Sequence, residues 1–253
     1  MTPRIKKHYP PVEEMSTAER VGMVREVFAT IPAHYDILNR IFSLRRDVAW
    51  RRFAVGKMRF GPTRRFLDVA TGTADLALEA ARQHPDVRVT GLDFAREMMA
   101  VGVAKFRKLQ LTERIRLIQG DALNLPFPDR TFDVAGCAFG IRNIPDRPRA
   151  LREMTRVVRP GGQVLVLEMH FPQHRLLQPF YHVYLNLLLP RAAGLVSRNP
   201  AAYHYLGDSI LHFPAPAAFA GLMAEAGLVR VARHPLMFGI CYLYLGWKPD
   251  NPS

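Results

Sequence analysis

The chain has 253 residues, 49% of them hydrophobic, which suits the core of one α/β domain better than two independent domains. Its formal net charge of +13 favours anionic partners, namely nucleic acid, an acidic membrane surface or a charged substrate, without choosing among them. The two cysteines, Cys137 and Cys241, lie far apart and outside any metal-ligand spacing. This argues against a disulfide framework and a structural zinc site, and we predict no metal.

The first residues of the chain are rich in proline and charge, so we expect residues 1–15 to form a flexible segment. They lack the apolar run of a signal peptide, and no stretch of about 18 apolar residues follows that could cross a bilayer. We therefore expect a cytoplasmic location.

A helical region is predicted between residues 16 and 60, ahead of any strand. Ser16 and Glu19 have the spacing of a capping box, and apolar residues recur at helical intervals from Val21 to Ile31. A second helical stretch is predicted over residues 35–53, and Asp36 has the residue type and position of its cap.

Strand and helix patterns alternate from residue 65 onward with short connections. This alternation predicts a mostly parallel sheet with helices on both of its faces. The predicted strands cover residues 65–70, 87–93, 115–122, 132–140 and 163–169. The predicted helices cover residues 75–83, 95–109 and 147–158, and the last of them is closed by the Pro-Gly-Gly of residues 160–162.

Residues 170–214 interrupt the alternation with a segment rich in leucine and aromatic residues, which we interpret as a helical insertion. A helix over residues 216–228 is predicted after it. Two further strands, 229–237 and 240–248, are joined by a short connection and indicate an antiparallel hairpin at the end of the sheet.

The stretch FLDVATGTADLAL, residues 66–78, joins the first strand to a helix through small residues. Gly72 lets a ligand approach the main chain, and the helix that follows offers unpaired N–H groups. Asp93 ends the second strand, where a carboxylate can accept both hydroxyls of a ribose. Ala70 and Ala74 stand where a dinucleotide fold places glycine, which argues against NAD or FAD. The alternative is an ordinary tight turn without a ligand.

A second acidic position, Asp121, is predicted at the end of the third strand and is followed by Ala122. An acid there can accept the amino group of adenine, while the small residue leaves room for the ring. At these residues the chain resembles the class I S-adenosylmethionine-dependent methyltransferases. The resemblance implies a Rossmann-like α/β fold, with a seven-stranded, mostly parallel sheet and an antiparallel C-terminal strand. It implies one such domain over residues 16–250, with a helical N-terminal cover at 16–60 and the insertion at 170–214.

Three longer stretches resemble the C-methyltransferases of menaquinone and ubiquinone biosynthesis: YDILN, AFGIRNIPDRPRALREMTRVVRPGG and AYHYLGDSILHFP. This resemblance runs from Val27 to Lys248. It implies that S-adenosyl-L-methionine is used to methylate a ring carbon of a prenylated quinol, either demethylmenaquinol or the methoxybenzoquinol of ubiquinone biosynthesis. It also implies cofactor contacts for Gly72, Thr73, Asp93, Asp121 and Ala122.

The acceptor side of the site follows from the same resemblance. Arg142 would stabilise the phenolate of the quinol and Asn143 would orient its ring or a water. The alternative for Arg142 is an ion pair with a carboxylate at the rim of the sheet. Tyr35 and Asp36 would close over the site, unless Asp36 only caps its helix. Tyr205 would line the acceptor pocket, unless it belongs to the core.

The sequence departs from this family at three positions. Thr71 and Ala74 stand where the family often has glycine, and Ala138 stands where it has serine. None of these changes removes a charged contact, but Ala138 cannot supply the hydrogen bond that serine would give to the cofactor.

The insertion has more than one interpretation. Its apolar side chains could wall a channel for the prenyl tail, with transient contact to an anionic membrane surface, or form an ordinary cover or a dimer contact. The side chains in question are Leu176, Leu177, Phe180, Tyr184 and Leu188. The oligomeric state stays open.

Two other functions also stay open: methylation of another small hydrophobic acceptor, and an RNA-binding methyltransferase suggested by the positive charge. The stretch AFGIRN stands where base-amino methyltransferases carry Asn/Asp-Pro-Pro-aromatic, and no aromatic RNA-binding motif is present. We therefore expect no nucleic-acid partner.

Overall fold

The computed structural model describes residues 15–30, 32–188, 191 and 201–250. Its strands are β1 (Arg65–Val69), β2 (Arg88–Asp93), β3 (Ile115–Gln119), β4 (Phe132–Ala138), β5 (Val158–Met169), β6 (Val229–Leu236) and β7 (Cys241–Trp247). They form one sheet in the order β3-β2-β1-β4-β5-β7-β6. The pairs from β3 to β5 are parallel, and β7 is antiparallel to both of its neighbours. The predicted seven-stranded, mostly parallel sheet with an antiparallel C-terminal strand is confirmed.

The helices lie where the alternation predicts them. They are α1 (Thr17–Thr30), α2 (Pro32–Phe42), α3 (Arg46–Gly56), α4 (Asp75–Gln83), α5 (Arg96–Lys108), α6 (Arg147–Val157), α7 (Gln178–Val183), α8 (Ala201–Leu211) and α9 (Pro216–Glu225). A π-helical turn, Tyr184–Leu188, continues α7. A 3-10 turn, Ile141–Asn143, follows β4. Within the described part of the insertion, residues 178–188 and 201–211 are helical.

Helices cover both faces of the sheet because successive strand residues point to opposite sides. Phe66 of β1 packs in a buried cluster with α3 and α4, whereas its neighbour Leu67 packs in a second cluster with α6 and α9. A third cluster joins Val24 and Val27 of α1 to Tyr181 of the insertion. The N-terminal cover and the insertion therefore support each other.

Four local predictions are corrected or confirmed by the structure. Asp36 is not a cap, because α2 begins earlier, at Pro32. The predicted helix 35–53 is broken between α2 and α3, where Leu44 and Arg45 have φ of 51° and 62°. The Pro-Gly-Gly of 160–162 does not form the end of the predicted helix, because α6 ends at Val157 and these residues lie inside β5. The capping box is confirmed, since Ser16 N donates to Glu19 Oε2 at 2.9 Å.

The predicted flexible segment covers residues 1–15, of which 1–14 lie outside the described residues, as do 189–190 and 192–200 of the insertion. Within the described ranges, every helix is too short or too polar to span a bilayer. Cys137 and Cys241 are both fully buried and unbonded, as expected for small apolar side chains.

Candidate active site

The turn between β1 and α4 lies tightly against β2. Three of its residues have left-handed backbone conformations with φ between 53° and 64°: Ala70, Gly72 and Ala74. Thr71 N donates to the carbonyl oxygen of Leu92 in β2 at 3.0 Å. Gly91 makes this approach possible, because a Cβ there would lie 2.9 Å from Thr71 Oγ1. The small residues noted in the sequence therefore bring the turn down onto the sheet.

Asp93, the last residue of β2, is held in one orientation by two backbone donors. Its Oδ2 accepts from Gly72 N at 2.7 Å and its Oδ1 accepts from Ala95 N at 2.8 Å. Burial raises the pKa of this carboxyl, and the backbone N–H groups oppose that rise without cancelling it. Each oxygen keeps acceptor capacity beyond its one hydrogen bond, so the carboxylate can receive two neighbouring hydroxyls.

A cavity of about 460 Å³ lies beyond the carboxyl ends of β1 to β4, which is the size of a small-molecule site. Ligands in open α/β sheets bind at this edge. Every residue predicted to contact a cofactor lines the cavity: Gly72, Thr73, Asp93, Asp121 and Ala122. Ala138 lines it too. The structure thus brings together residues that are up to fifty positions apart in sequence.

The N-terminal cover closes the cavity from above. Asp36 Oδ1 accepts from Thr73 Oγ1 at 2.6 Å, and Asp36 Oδ2 lies 2.5 Å from Lys105 Nζ of α5. Lys105 Nζ also lies 2.5 Å from Asp75 Oδ1 at the start of α4. Tyr35, the neighbour of Asp36, lines the cavity. The hydroxyl of Thr73 is therefore engaged by the cover, and its contact with a cofactor would come from its backbone.

Arg142 turns inward from the 3-10 turn after β4. Its Nη1 lies 2.7 Å from Glu168 Oε1 of β5 and 2.6 Å from Phe139 O, and both side chains of the ion pair are buried. Burial lowers the pKa of Arg142, but the charge and hydrogen bond of Glu168, together with Tyr35 and Tyr205, more than offset it, so the pKa lies above its ordinary value. The alternative considered for this arginine, a pair with a carboxylate at the rim, is what the structure shows.

A second, smaller chamber of about 40 Å³ adjoins the cavity on the side of Arg142. Asn39 of α2 and Ser43, the residue after α2, line it together with Tyr184 of the insertion. Three residues line both spaces and so form the boundary between them: Tyr35, Arg51 and Phe139. Arg142 lines the smaller chamber and not the larger cavity.

Asn143 and Tyr205 meet each other directly. Tyr205 Oη donates to Asn143 Oδ1 at 3.0 Å, and Asn143 lines the larger cavity. Tyr205 itself is buried in the cluster that joins α1 to the insertion. The core alternative therefore holds for Tyr205, which positions Asn143 rather than lining either space.

Sequence reasoning missed the charged groups beneath the cover. Arg51 of α3 is buried, and its Nη1 lies 2.6 Å from Asp47 Oδ2 and 3.9 Å from Asp75 Oδ2. Asp68 of β1 lines the cavity, and burial raises its pKa to about 7. The i, i+4 spacing of Asp47 and Arg51 was an available signal, but it is typical of exposed helix faces.

The site combines an acidic residue at the end of each of three strands with a tight turn after β1 and a covered cavity. A family model described as the ubiE/COQ5 methyltransferase family matches residues 14–248. The chain belongs to the ubiE/COQ5 methyltransferase family.

Curated relatives of the ubiE/COQ5 family extend over nearly the whole chain. The ubiquinone/menaquinone biosynthesis C-methyltransferase UbiE of Geotalea daltonii is 43% identical over 231 residues, which is 91% of this chain and 98% of that protein. The demethylmenaquinone methyltransferase of Deinococcus radiodurans is 41% identical, over 94% of this chain and 97% of that protein. The protein is therefore an S-adenosyl-L-methionine-dependent C-methyltransferase.

Solved structures agree on the fold. Phosphoethanolamine N-methyltransferase 2 of Haemonchus contortus, in complex with phosphomonomethylethanolamine and S-adenosylhomocysteine, has a TM-score of 0.63 at 14% identity. The superposition covers 95% of this chain and 61% of that chain. At this identity the likeness establishes the Rossmann-like methyltransferase fold and no more.

The chemistry of the cavity wall fits this cofactor. Four carboxyl groups line it: Asp68, Asp75, Asp93 and Asp121. The methyl donor carries a sulfonium and an ammonium group, both cationic, and a ribose with two neighbouring hydroxyls. An acidic wall with one carboxylate held ready for hydroxyls suits that combination.

Proposed function

We propose that this ubiE/COQ5 family member methylates a ring carbon of demethylmenaquinol, a prenylated naphthoquinol. The relatives support a quinone-type acceptor through their names, and the Deinococcus radiodurans protein is named for demethylmenaquinone. The observation that carries the proposal is the smaller chamber, which adjoins the cofactor cavity and has two guanidinium groups in its wall.

In this proposal the cofactor lies in the larger cavity with its ribose on Asp93. Asp121 and Ala122 receive the adenine, and the backbone of Gly72 and Thr73 lies beside the ribose and the methionine part. When bound, S-adenosyl-L-methionine supplies an electrophilic methyl group on a sulfonium whose departure leaves a neutral thioether. The leaving group needs no acid, so alignment and exclusion of water supply most of the acceleration.

The harder half of the reaction is to make the ring carbon nucleophilic, which requires a ring hydroxyl to lose its proton. Tyr35 shows how a phenol behaves in this chamber. Burial raises the pKa of Tyr35 above its ordinary value, and the charges of Arg142 and Arg51 both oppose that rise. A quinol hydroxyl beside Tyr35 would meet the same two cations, which favour its ionised form. Asn143, held by Tyr205, would orient the ring or a water.

The chamber of about 40 Å³ is smaller than a quinol ring, so acceptor entry must displace part of its wall. Helix α2 supplies Tyr35 and Asn39 to that wall, Ser43 follows directly after it, and α2 is joined to the rest of the site through Asp36. Movement of the cover would therefore admit the acceptor. Closure would then exclude water around the reacting atoms.

We also propose that the insertion meets a membrane surface, where the prenyl tail resides. Four apolar side chains at helical spacing are exposed along residues 176–187: Leu176, Phe180, Val183 and Leu187. Tyr184 of the same segment lines the smaller chamber, so the tail of a bound quinol could run from the chamber to this face. The net charge of +13 favours an anionic leaflet.

The test is methyl transfer from deuterium-labelled S-adenosyl-L-methionine to short-chain quinols, followed by mass spectrometry. We expect labelled product from the naphthoquinol. R142A should keep cofactor affinity within about twofold and lose at least about a hundredfold in turnover, because one cation is removed from the chamber. R152A, which removes an exposed arginine of α6, is the control. Product from the methoxybenzoquinol alone, or normal turnover by R142A, would contradict the proposal.

A further inference from the structure

The donor placed as above has a defined direction in the cavity. Adenine lies by Asp121 and ribose by Asp93, so the methionine part extends toward the turn after β1 and toward Phe139. Asp68 and Asp75 line the cavity at that end. The methionine part carries an ammonium group, which these acids suit, and an α-carboxylate, which they would repel.

A carboxylate among acidic side chains needs a cation. Two arginines line the cavity in the part of the chain that the structure describes, Arg25 and Arg51. Arg25 lies 5.9 Å over the ring of Phe94, next to Asp93, and so belongs to the ribose end. Arg51 lies 5.0 Å over the ring of Phe139, at the methionine end.

Arg51 is also held ready before any ligand arrives. Its side chain is 8% exposed, and its Nη1 donates to Asp47 Oδ2 at 2.6 Å. Asp47 is in turn bonded by Ser43 Oγ at 2.7 Å. A guanidinium has five N–H donors in a planar fork, and the contacts described for Arg51 use one hydrogen bond of that capacity. The remaining donors suit a carboxylate placed in the cavity.

We infer that Arg51 binds the α-carboxylate of the methionine part of S-adenosyl-L-methionine, with Asp47 positioning the guanidinium. The inference rests on the cofactor placement proposed above. It adds a charged anchor opposite Asp93, so that the donor is fixed at both ends and its methyl group faces the boundary between the two spaces. It also explains why a buried cation stands at the end of the cavity that Asp68 and Asp75 line.

Calorimetric titration with two ligands tests this without the quinol. S-adenosylhomocysteine carries the amino-acid carboxylate, and methylthioadenosine has the same nucleoside but lacks the amino-acid group. We expect R51M to raise the Kd for S-adenosylhomocysteine by about tenfold or more, because a charged hydrogen-bonded pair is lost. The Kd for methylthioadenosine should change by less than about twofold.

The neighbouring arginine provides a matched control. Arg52 is on the same helix, its side chain is 64% exposed, and it pairs with Glu79 at 3.6 Å. R52M removes the same charge and should leave both Kd values unchanged. R51K keeps the charge beside Asp47 and should raise the Kd for S-adenosylhomocysteine by a smaller factor, which repeats the comparison in a variant that leaves no buried carboxylate unpaired.

The outcomes separate cleanly. Equal weakening of both ligands by R51M, or no change in either Kd, would overturn the inference, and a normal Kd with reduced turnover would mean that Arg51 acts on the acceptor alone. Failure of the wild-type protein to bind methylthioadenosine would overturn the cofactor placement itself. Loss of S-adenosylhomocysteine affinity alone supports the carboxylate anchor, whichever quinol is methylated.

Discussion

At the scale of single residues, Asp68 connects the fold to the site. It is buried in β1, and its Oδ2 accepts from Thr71 Oγ1 at 2.6 Å and from Ala77 N at 3.1 Å. These bonds hold the turn after β1 and the first turn of α4. Burial nevertheless raises the pKa of Asp68 to about 7. Near neutral pH, the protonated and the ionised forms of this carboxyl therefore coexist. A ligand that changes the local charge must therefore move that proton.

We predict that donor binding releases a fraction of a proton near pH 7. The sulfonium and ammonium groups favour ionised Asp68, so affinity should rise with pH through about 7. Calorimetry in two buffers of different ionisation enthalpy measures the release. D68N should abolish it, whereas D129N, at an exposed carboxylate paired with Arg156, should leave it intact. Unchanged proton release by D68N would show that another group titrates.

His170 carries a second prediction at this scale. Its Nε2 lies 2.7 Å from Tyr244 Oη, and burial lowers its pKa to about 4. An unfolded histidine titrates near about 6.5, so the unfolded chain binds the extra proton between the two values. This group therefore makes the free energy of unfolding rise with pH from about 4 to 6.5, by at most about 3 kcal/mol.

Chemical denaturation across that pH range checks the prediction by comparing variants. H170Q should lose this rising contribution, and H174Q, at an exposed histidine, should keep it. Asp68 acts with the opposite sign over the same range, since its raised pKa makes the folded state hold a proton that the unfolded chain releases. The difference between variants, rather than the wild-type curve, isolates His170. If the free energy of unfolding of H170Q depended on pH as it does in the wild type, the assignment to His170 would be wrong.

At the scale of elements, the link between α2 and the sheet decides how firmly the cavity is covered. Asp36 joins α2 to Thr73 of the turn and to Lys105 of α5. We predict that D36A speeds dissociation of bound cofactor by about three- to tenfold, because both links are lost. Stopped-flow fluorescence can follow Trp50, which lies in the wall of the smaller chamber.

The control for the cover is a surface ion pair elsewhere. Asp86 pairs with Arg64 at 3.2 Å, and both side chains are about half exposed. D86A should leave the dissociation rate unchanged. A normal rate in D36A would show that α2 does not retain the cofactor.

Comparison of pattern and structure shows which elements can be predicted. The strands were predictable because β1 and β4 are buried on both faces and appear as short, mostly apolar runs. The break between α2 and α3 was not, because Leu44 and Arg45 adopt left-handed conformations without a glycine or proline to signal it. Asp36 was misassigned for a related reason, since the helix extends past Asp36 to begin at Pro32.

The residues of the site also differ in whether the sequence predicts their proximity. Asp93 and Asp121 follow strands, and parallel strands end at one edge, so their proximity follows from topology. Arg142 and Glu168 lie 26 positions apart on different strands' ends, and Arg51 comes from a helix whose packing on the sheet has no sequence signature. Contacts made by tertiary packing of helices and loops could therefore not be predicted from the sequence pattern.

At the scale of the whole molecule, charge and exposed apolar surface act together. We predict that the protein binds anionic vesicles in a salt-sensitive manner through residues 176–187. F180D should lower the bound fraction at least about fivefold, because Phe180 is 77% exposed on that face. L109D, at a leucine that is 53% exposed after α5, introduces the same charge elsewhere and should have little effect. Vesicle sedimentation measures both, and equal losses would mean that net charge alone drives binding.

The boundary shared by the two spaces has a thermodynamic consequence. Tyr35 lines both and sits on α2, the helix that acceptor entry must move. Occupancy on one side then alters the free energy of filling the other, and the factor is the same in both directions. A donor that draws α2 into its closed position would raise acceptor affinity, and the quinol would raise donor affinity by the same factor. We therefore expect donor and acceptor to bind cooperatively through Tyr35, the aromatic side chain that lines both spaces.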